Sequence, residues 1–230
     1  MEKKKILPAV IAVVLMALII VGAVGVKLYE KYSYSKETMD LSRYYGIEKE
    51  GQVPIILADV VAEEKAANID GNDYLPLSFV QEQLNSRFYY DMNEKLLLYT
   101  TALDLYEIPL DSTTYTVSGE AAEHTCPIFV LQDEVPYVSL SFMENFSNFI
   151  CNVYEAPHRL QIYTENVTHQ TAVIQKATAV RYQGGIKSDI LEQQDAGSQV
   201  TVLEEMENWS KVETADAVIG YVENKRLEAA

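Results

Sequence analysis

The most regular pattern of hydrophobic and polar positions is a phrase that occurs twice, YLPLSF at 74–79 and YVSLSF at 137–142. In each copy, apolar and polar side chains first alternate, as in a β-strand with one buried face, and then take the spacing of a short helix. Turn residues precede both phrases, DGND at 70–73 and QDE at 132–134. Each copy therefore predicts a β-hairpin followed by a short helix.

The correspondence between the copies extends beyond the phrase itself. Upstream of the phrase, PIIL (54–57) in the first copy matches PIFV (127–130) in the second. Downstream, the turn DMNEK (91–95) matches the turn EAPHR (155–159). Ser78 precedes Gln81 and Ser141 precedes Glu144, the spacing of a capping box at a helix start. The shared order of these segments indicates an internal duplication.

The predicted unit is a β-hairpin, a short helix and a β-hairpin, used twice at 50–104 and 124–165. Neither copy has enough apolar residues for a core of its own, so we expect one α+β domain over 40–165. Phe79 and Phe142 hold equivalent helix positions and are expected to be buried in that domain.

A run of 21 uncharged residues, Ile6 to Val26, comes before this domain. At about 1.5 Å per residue it spans roughly the 30 Å hydrocarbon core, which predicts a single transmembrane helix. The basic residues 3–5 favour a cytoplasmic N-terminus at the cell membrane, with the chain beyond Lys27 extracytoplasmic. The alternative is a cleaved signal peptide, with the small residues Ala23 and Gly25 at its cleavage site.

Charge is distributed unevenly along the chain. Residues 1–36, the predicted cytoplasmic tip, anchor and juxtamembrane segment, hold six of the 18 basic side chains and two of the 34 acidic ones. Residues 37–230 hold the other 12 basic and 32 acidic side chains. A strongly acidic extracytoplasmic part repels nucleic acid and anionic lipid head groups. The sequence therefore predicts no nucleic-acid partner, and the lipid bilayer contacts the chain through residues 6–26. The pattern does not predict an oligomeric state.

From residue 170 onward, short alternating strands replace the helix-containing pattern. QVTVLEE (199–205), WSKVET (209–214) and IGYVEN (219–224) are separated by Gly, Asp and Asn turns. Strands at intervals of about ten residues are typical of a small all-β barrel, which we predict for 170–230.

The phrases Y-[LV]-x-L-S-F and Y-D…L-x-x-Y-T within 50–165 resemble the domain named for the N-terminal region of copper amine oxidases, a stalk-like module of exported bacterial proteins. The name suggests copper, which clustered imidazoles would bind. His124, His158 and His169 are the only histidines and lie in separate contexts. We expect no metal and no cofactor.

The C-terminal pattern resembles a bacterial SH3-like domain over 172–228. The segments that carry the resemblance are AVR (179–181), IKSDIL (186–191), VTVLEEMENWSKV (200–212) and IGYV (219–222). The sequence departs from the family pattern at Ala179 and at the Asp216-Ala217 turn.

The resemblance implies binding to cell-wall peptidoglycan. Tyr182, Trp209 and Tyr221 are the candidate ligand-binding aromatics, because their rings can stack on a sugar or a peptide. Tyr182 lies beside a flexible QGG segment and is expected to be the most exposed. For Trp209 the alternative is a place in the barrel core.

The cysteines and the search for catalysis give little more. Cys126 and Cys151 could form one disulfide, or could be two buried thiols. The chain has no phosphate-binding loop, no G-x-S-x-G and no H-E-x-x-H, so we expect that it is not an enzyme.

The order of anchor, stalk and SH3-like domain resembles the front half of anchored family 18 glycoside hydrolases of Gram-positive bacteria. The first hypothesis is a non-catalytic, membrane-anchored extracytoplasmic protein whose stalk carries an SH3-like module away from the bilayer to the cell wall. The alternative is the non-catalytic N-terminal part of a family 18 glycoside hydrolase, whose D-x-x-D-x-D-x-E motif the sequence lacks.

Overall fold

The chain begins with a long helix. The computed structural model describes the backbone of residues 3–165 and 168–229, and the side chains of these ranges from Val14 onward. Helix α1 (Lys3–Tyr32) contains the apolar run, although the side chains of 6–13 lie outside the described residues. Within the described part of the chain, no helix is long and apolar enough to cross a membrane. The membrane anchor stays a prediction.

Residues 33–40, which we call the strap, follow in extended form and lead into α2 (Leu41–Tyr44). The carboxylate of Asp40 starts this helix by accepting a hydrogen bond of 2.8 Å from the backbone N–H of Ser42. The strands of the first domain are, in chain order, β1 (Gln52–Leu57), β2 (Val60–Ile69), β3 (Asn72–Pro76), β4 (Phe88–Asp91), β5 (Leu96–Thr100), β6 (Leu105–Pro109), β7 (Thr114–Val117), β8 (Glu120–Glu123), β9 (Phe129–Gln132), β10 (Val135–Ser139), β11 (Ile150–Glu155) and β12 (His158–Tyr163).

Two sheets share one core in this domain. The first has the strand order β11-β12-β1-β2-β3-β10-β9, in which β1 and β12 pair in parallel, and the second has the order β4-β5-β6-β7-β8. Apolar side chains from both sheets, among them Ile55, Leu97 and Leu160, form a single buried cluster. Phe79 and Phe142 are each 1% exposed within it, which confirms the prediction for both.

The short helices differ from the prediction. They are α3 (Leu77–Phe79), which continues as a π-helical turn (Val80–Leu84), and α4 (Leu140–Met143). The predicted capping boxes are wrong, because Ser78 and Ser141 lie inside the first turn and neither helix has a side-chain cap. Outside α1 the chain is mostly β, and the predicted helical content of an α+β domain is too high.

The two copies of the repeated phrase lie side by side. Strands β3 and β10 pair antiparallel, with Leu75 opposite Val138 and Tyr74 opposite Ser139. Since Leu75 and Val138 hold the same position in the two phrases, the pairing has a local two-fold relationship. The following hairpins differ, because β11 and β12 join the first sheet whereas β4 and β5 belong to the second. The duplication and its boundaries stay predictions.

The C-terminal region is a third sheet with its own small core. Its strands are β13 (Gln170–Ile174), β14 (Thr178–Arg181), β15 (Ile190–Gln194), β16 (Gln199–Glu205), β17 (Trp209–Glu213), β18 (Ile219–Glu223) and β19 (Leu227–Ala229), in the sheet order β15-β14-β18-β17-β16-β13-β19. Side chains from six of these strands, including Ile174, Val180, Val212 and Val222, form the apolar cluster that the sheet encloses.

This third sheet packs against the first domain. Tyr45, Ile56 and Ile219 form a separate buried cluster between them. The hydroxyl of Tyr44 donates to the carbonyl of Ile219 at 2.8 Å, and Lys211 Nζ donates to Asp59 Oδ2 at 2.7 Å. Apolar burial and polar contacts therefore both hold the two parts together.

The strap runs along the edge of the third sheet. The backbone N–H groups of Ser35 and Met39 donate to the carbonyls of Ile186 and Ile190, and the N–H of Ile190 donates to the carbonyl of Glu37. The third sheet therefore lies next to the segment that follows α1, whereas the sequence led us to expect it at the far end of a stalk. The reason is backbone pairing between positions about 150 residues apart, which local patterns do not reveal.

Candidate functional site

The candidate aromatics lie on the outer face of the third sheet. Strand side chains alternate between faces, and Val212 and Val222 point into the core, so Trp209 and Tyr221 face outward. Trp209 is half-buried and packs on the backbone of Gly184, where an added Cβ would lie 3.3 Å from Trp209 Cβ. Trp209 is thus outside the enclosed core, contrary to the core alternative.

Tyr182 and Tyr221 lie near α2 rather than in open solvent. Tyr182 is 43% exposed, and the edge of its ring meets Tyr44 at a centroid distance of 5.9 Å. Burial raises the pKa of Tyr44, and the nearby Tyr45, Tyr182 and Tyr221 raise it further. The structure therefore brings Tyr182 and Tyr221 together around Tyr44, and neither lines the cleft that contains Trp209.

That cleft, which we call the strap cleft, lies between the strap and the third sheet. Its volume is about 290 Å³. Its charged and aromatic lining side chains are Tyr34 and Lys36 from the strap, Arg181, Trp209 and Glu223 from the third sheet, and Arg226 from the 3-10 turn before β19. Part of the wall therefore comes from a segment that is remote in sequence.

Tyr34 closes one end of the strap cleft. Its hydroxyl donates to Glu223 Oε1 at 3.0 Å, and Lys225 Nζ donates to both the Tyr34 hydroxyl at 3.0 Å and Glu223 Oε1 at 2.7 Å. The guanidinium of Arg181 lies 5.6 Å from the Tyr34 ring centroid, within cation–π range.

Arg181 joins the strap to the floor of the cleft. The residue is 4% exposed, and its guanidinium donates to the carbonyl of Ser188 at 2.5 Å and to that of Ser35 at 3.1 Å. Burial lowers the pKa of Arg181, and the charge of Glu223 opposes that effect. The buried charge is therefore satisfied mainly by backbone carbonyls, one of which the strap supplies.

Arg226 is the least satisfied cation of the strap cleft. Its Nε is buried and has no hydrogen-bond partner within the described parts of the chain, and it lies 4.0 Å from Glu223 Oε2. Its side chain is 25% exposed. The terminal nitrogens of Arg226 also make no hydrogen bond within these parts of the chain, so a ligand acceptor that reached them would meet unused donors.

A second cavity, of about 370 Å³, lies between the first domain and the third sheet. Arg159 lines it and donates to the carbonyls of Pro157 and Asp216. Glu192 lies on the other side, where burial raises the pKa of its carboxyl group, although hydrogen bonds from Thr214 and Gln194 oppose this shift. The contacts of Arg159 therefore help to pack the third sheet against the first domain.

The remaining sequence candidates are placed as follows. Cys126 and Cys151 are free thiols; Cys126 is buried in a bend, and Cys151 lies in β11. His158 is the first residue of β12, directly after the turn, and hydrogen-bonds to Asp73. Within the described ranges, no group of three His, Cys, Asp or Glu residues could hold a metal ion.

Sequence reasoning missed Tyr34, Arg181 and Arg226. Tyr34 falls in a juxtamembrane segment whose polarity suggests a linker, and the two arginines are isolated in sequence. The strap pairing brings Tyr34 to the arginines, and no local signal in the sequence identifies that pairing.

The third sheet is a small β-domain with a core of six buried aliphatic residues. Residues 176–228 match the family of bacterial SH3 domains. This region is therefore SH3-like, as the sequence suggested, and an SH3-type domain is non-catalytic. No curated protein and no solved structure matches the chain. The copper amine oxidase-type module and the family 18 association stay predictions.

Proposed function

We propose that this chain is a non-catalytic protein whose SH3-like region binds cell-wall peptidoglycan. The family match at residues 176–228 supports a wall-binding module. The observation that carries the proposal is the position of Trp209, whose ring lines the open strap cleft instead of filling the core. An aromatic ring in a cleft can stack on a sugar face or a peptide group.

The proposal includes an anchor at the cell membrane with the N-terminus inside. It rests on the uncharged run from Ile6 to Val26 and on the lysines at 3–5. A C-terminal tag on intact cells should then be removed by external protease. A tag that resists protease in intact cells and is cleaved after lysis would contradict this orientation.

Binding can be measured as retention of the full-length chain, solubilised in detergent, on purified peptidoglycan sacculi. We expect the wild-type chain to be retained and Trp209→Leu to be retained about tenfold less, because one stacking contact is lost. Tyr89→Leu is the matched control, since Tyr89 is 60% exposed on β4 of the first domain.

The variants Tyr182→Leu and Tyr221→Leu test whether the tyrosines near α2 also bind peptidoglycan. If Trp209→Leu, Tyr182→Leu and Tyr221→Leu reduce retention equally, the binding surface extends from the strap cleft to Tyr44. If the wild-type chain is retained at none of the salt concentrations tested, the wall-binding function is refuted.

A further inference from the structure

The strap cleft differs in charge from the rest of the protein. Its wall carries three cations, Lys36, Arg181 and Arg226, and one carboxylate, Glu223. The chain as a whole has a formal net charge of −16. Lys225, at the rim, hydrogen-bonds to the same carboxylate. A local excess of positive charge on so acidic a protein is the arrangement that attracts an anionic group into this one place.

We propose that the strap cleft binds a ligand through a single carboxylate, which Arg226 and Lys36 contact while Trp209 packs against the adjoining part of the ligand. This inference rests on the proposed function and names the chemical group of the wall that is recognised. Arg226 can offer its two terminal guanidinium nitrogens in a bidentate contact, because only Nε is buried and, within the described residues, no hydrogen bond engages the terminal nitrogens.

Glu223 would not prevent this contact. Its carboxylate accepts hydrogen bonds from Tyr34 and Lys225, so its acceptor oxygens and its charge are already engaged. Arg181, whose donors are used by backbone carbonyls, adds positive charge from below the cleft without needing to touch the ligand.

The size of the charged patch favours a carboxylate over a polyanion. Charges separated by more than about 8 Å are screened at physiological ionic strength, so a single carboxylate inside the cleft interacts mainly with the cleft cations. A chain of phosphodiesters, as in teichoic acid, would extend over the acidic surface outside the cleft and be repelled there. Free carboxylates of peptidoglycan stem peptides fit this requirement.

The site is composite, because Tyr34 and Lys36 lie outside the residues that match the SH3 family. The strap holds Lys36 at the cleft through the backbone hydrogen bonds of its neighbours Ser35 and Glu37. The matched domain by itself would therefore contain Trp209 and Arg226 but only part of the cation cluster.

The test compares retention of the full-length chain on two preparations of sacculi that have been freed of teichoic acid. One keeps its free carboxylates, and in the other they are converted to amides with carbodiimide and ammonium chloride. We expect about tenfold weaker retention on the amidated sacculi, and a similar loss for Arg226→Gln on the untreated ones, because a charge-assisted hydrogen bond is lost. Retention should also weaken with added salt.

Arg87→Gln is the matched control, since Arg87 is exposed in the first domain and its loss changes the net charge equally. Lys36→Gln on the exposed strap gives a second variant that leaves the buried contacts intact, and Lys49→Gln is its control. Equal weakening by Arg87→Gln and Arg226→Gln would overturn the inference, because the effect would then be one of net charge.

The outcomes separate the inference from the function on which it rests. Equal retention on amidated and untreated sacculi would overturn the carboxylate site and leave wall binding intact. Retention only on a third preparation of sacculi that keeps its teichoic acid would also overturn it, in favour of phosphate. Absence of retention on every preparation would overturn both.

Discussion

The guanidinium of Arg159 lies 5.2 Å from the centroid of the Tyr45 ring, between the first domain and the SH3-like region. The same guanidinium lies 4.9 Å from the Tyr154 ring centroid, and the residue is 1% exposed. Tyr45 in turn donates from its hydroxyl to the carbonyl of Ala217 at 3.2 Å. Burial raises the pKa of Tyr45 to about 12, although Arg159 opposes that effect, so this hydroxyl stays protonated and remains a donor.

Arg159→Met should weaken the contact between the two parts. It leaves the carbonyls of Pro157 and Asp216 without the donors they have now. A buried acceptor without a partner costs about 1–3 kcal/mol, which we expect as the decrease in the free energy of unfolding. Urea unfolding followed by tryptophan fluorescence reports on the SH3-like region, because Trp209 is the only tryptophan.

The matched control is Arg43→Met on the exposed face of α2. If Arg159→Met and Arg43→Met unfold at the same urea concentration as the wild type, Arg159 does not contribute to the docking.

Local patterns predicted the elements better than their arrangement. The alternation in QVTVLEE gave β16 with its observed bounds, and IGYV lies within β18, because a strand with one buried face shows its period directly in sequence. The capping-box spacing at Ser78 was misleading, because Pro76 ends the strand and Leu77 already starts the helix.

Long-range pairing was not predictable from the sequence. The parallel contact of β1 with β12 joins Ile55 to Leu160, and the strap joins Thr38 to Ile190. Such pairs depend on how whole elements pack, and the residues themselves carry no signal of their partner. The strap cleft depends on the second pairing, and so the sequence pointed to Trp209 but not to Tyr34.

Stability should depend on pH through His158. Burial lowers the pKa of this histidine, but hydrogen bonds and charge attraction from Asp73 and Glu155 outweigh it, and the net shift is upward. Its Nε2 lies 2.9 Å from Asp73 Oδ1, and this contact ties the start of β12 to β3. A group with a raised folded-state pKa stabilises the fold fully below its unfolded pKa of about 6.5 and loses that contribution as the pH rises through the raised value.

The measurement compares urea midpoints of the wild type and His158→Gln at about pH 5.5 and about pH 9, on either side of the histidine titration. We expect a larger difference between the two proteins at the lower pH. His169→Gln reports the general cost of losing a histidine. A difference that is larger at the higher pH would show that the charged ring does not stabilise the fold.

Phe142 should contribute strongly to the core of the first domain. Its ring lies 4.7 Å from that of Phe146 and meets the edge of Tyr115 at 5.5 Å. Phe142→Ala removes these contacts and leaves a cavity, which should cost about 3–5 kcal/mol in the free energy of unfolding. Phe142→Leu retains most of the volume and should cost less. Thermal or urea unfolding checks both, and equal losses for the two variants would mean that the cavity does not determine the effect.

The cysteines should be two slow-reacting thiols. Both are free in the structure, and burial raises the pKa of Cys151 to about 12, with the charges of Glu144 and Asp73 adding to it. Since the thiolate is the reactive form, iodoacetamide should modify Cys151 slowly at neutral pH in the folded protein. Unfolded in urea without reductant, the protein should take up two adducts by intact mass. Absence of adducts until a reductant is added would demonstrate a disulfide instead.

The strap should be visible in hydrogen exchange. The amides of Ser35 and Met39 donate to carbonyls of the SH3-like region, at 2.7 and 2.9 Å. The strap pairs like an edge strand, so its amides should alternate between protected and fast-exchanging. We expect slow exchange at Ser35 and Met39 and faster exchange at Lys36 and Thr38, because an amide exchanges when its hydrogen bond opens.

A substitution tests the same pairing independently. Proline at position 39 removes the N–H that Met39 donates to Ile190, so Met39→Pro should raise the exchange rate at Ser35 and along β15. Met39→Ala keeps the N–H and serves as the control for the lost side chain. Similar exchange rates at all four strap amides in the wild type would mean that the strap does not lie on the SH3-like region. The composite cleft would then lose the wall that holds Tyr34 and Lys36.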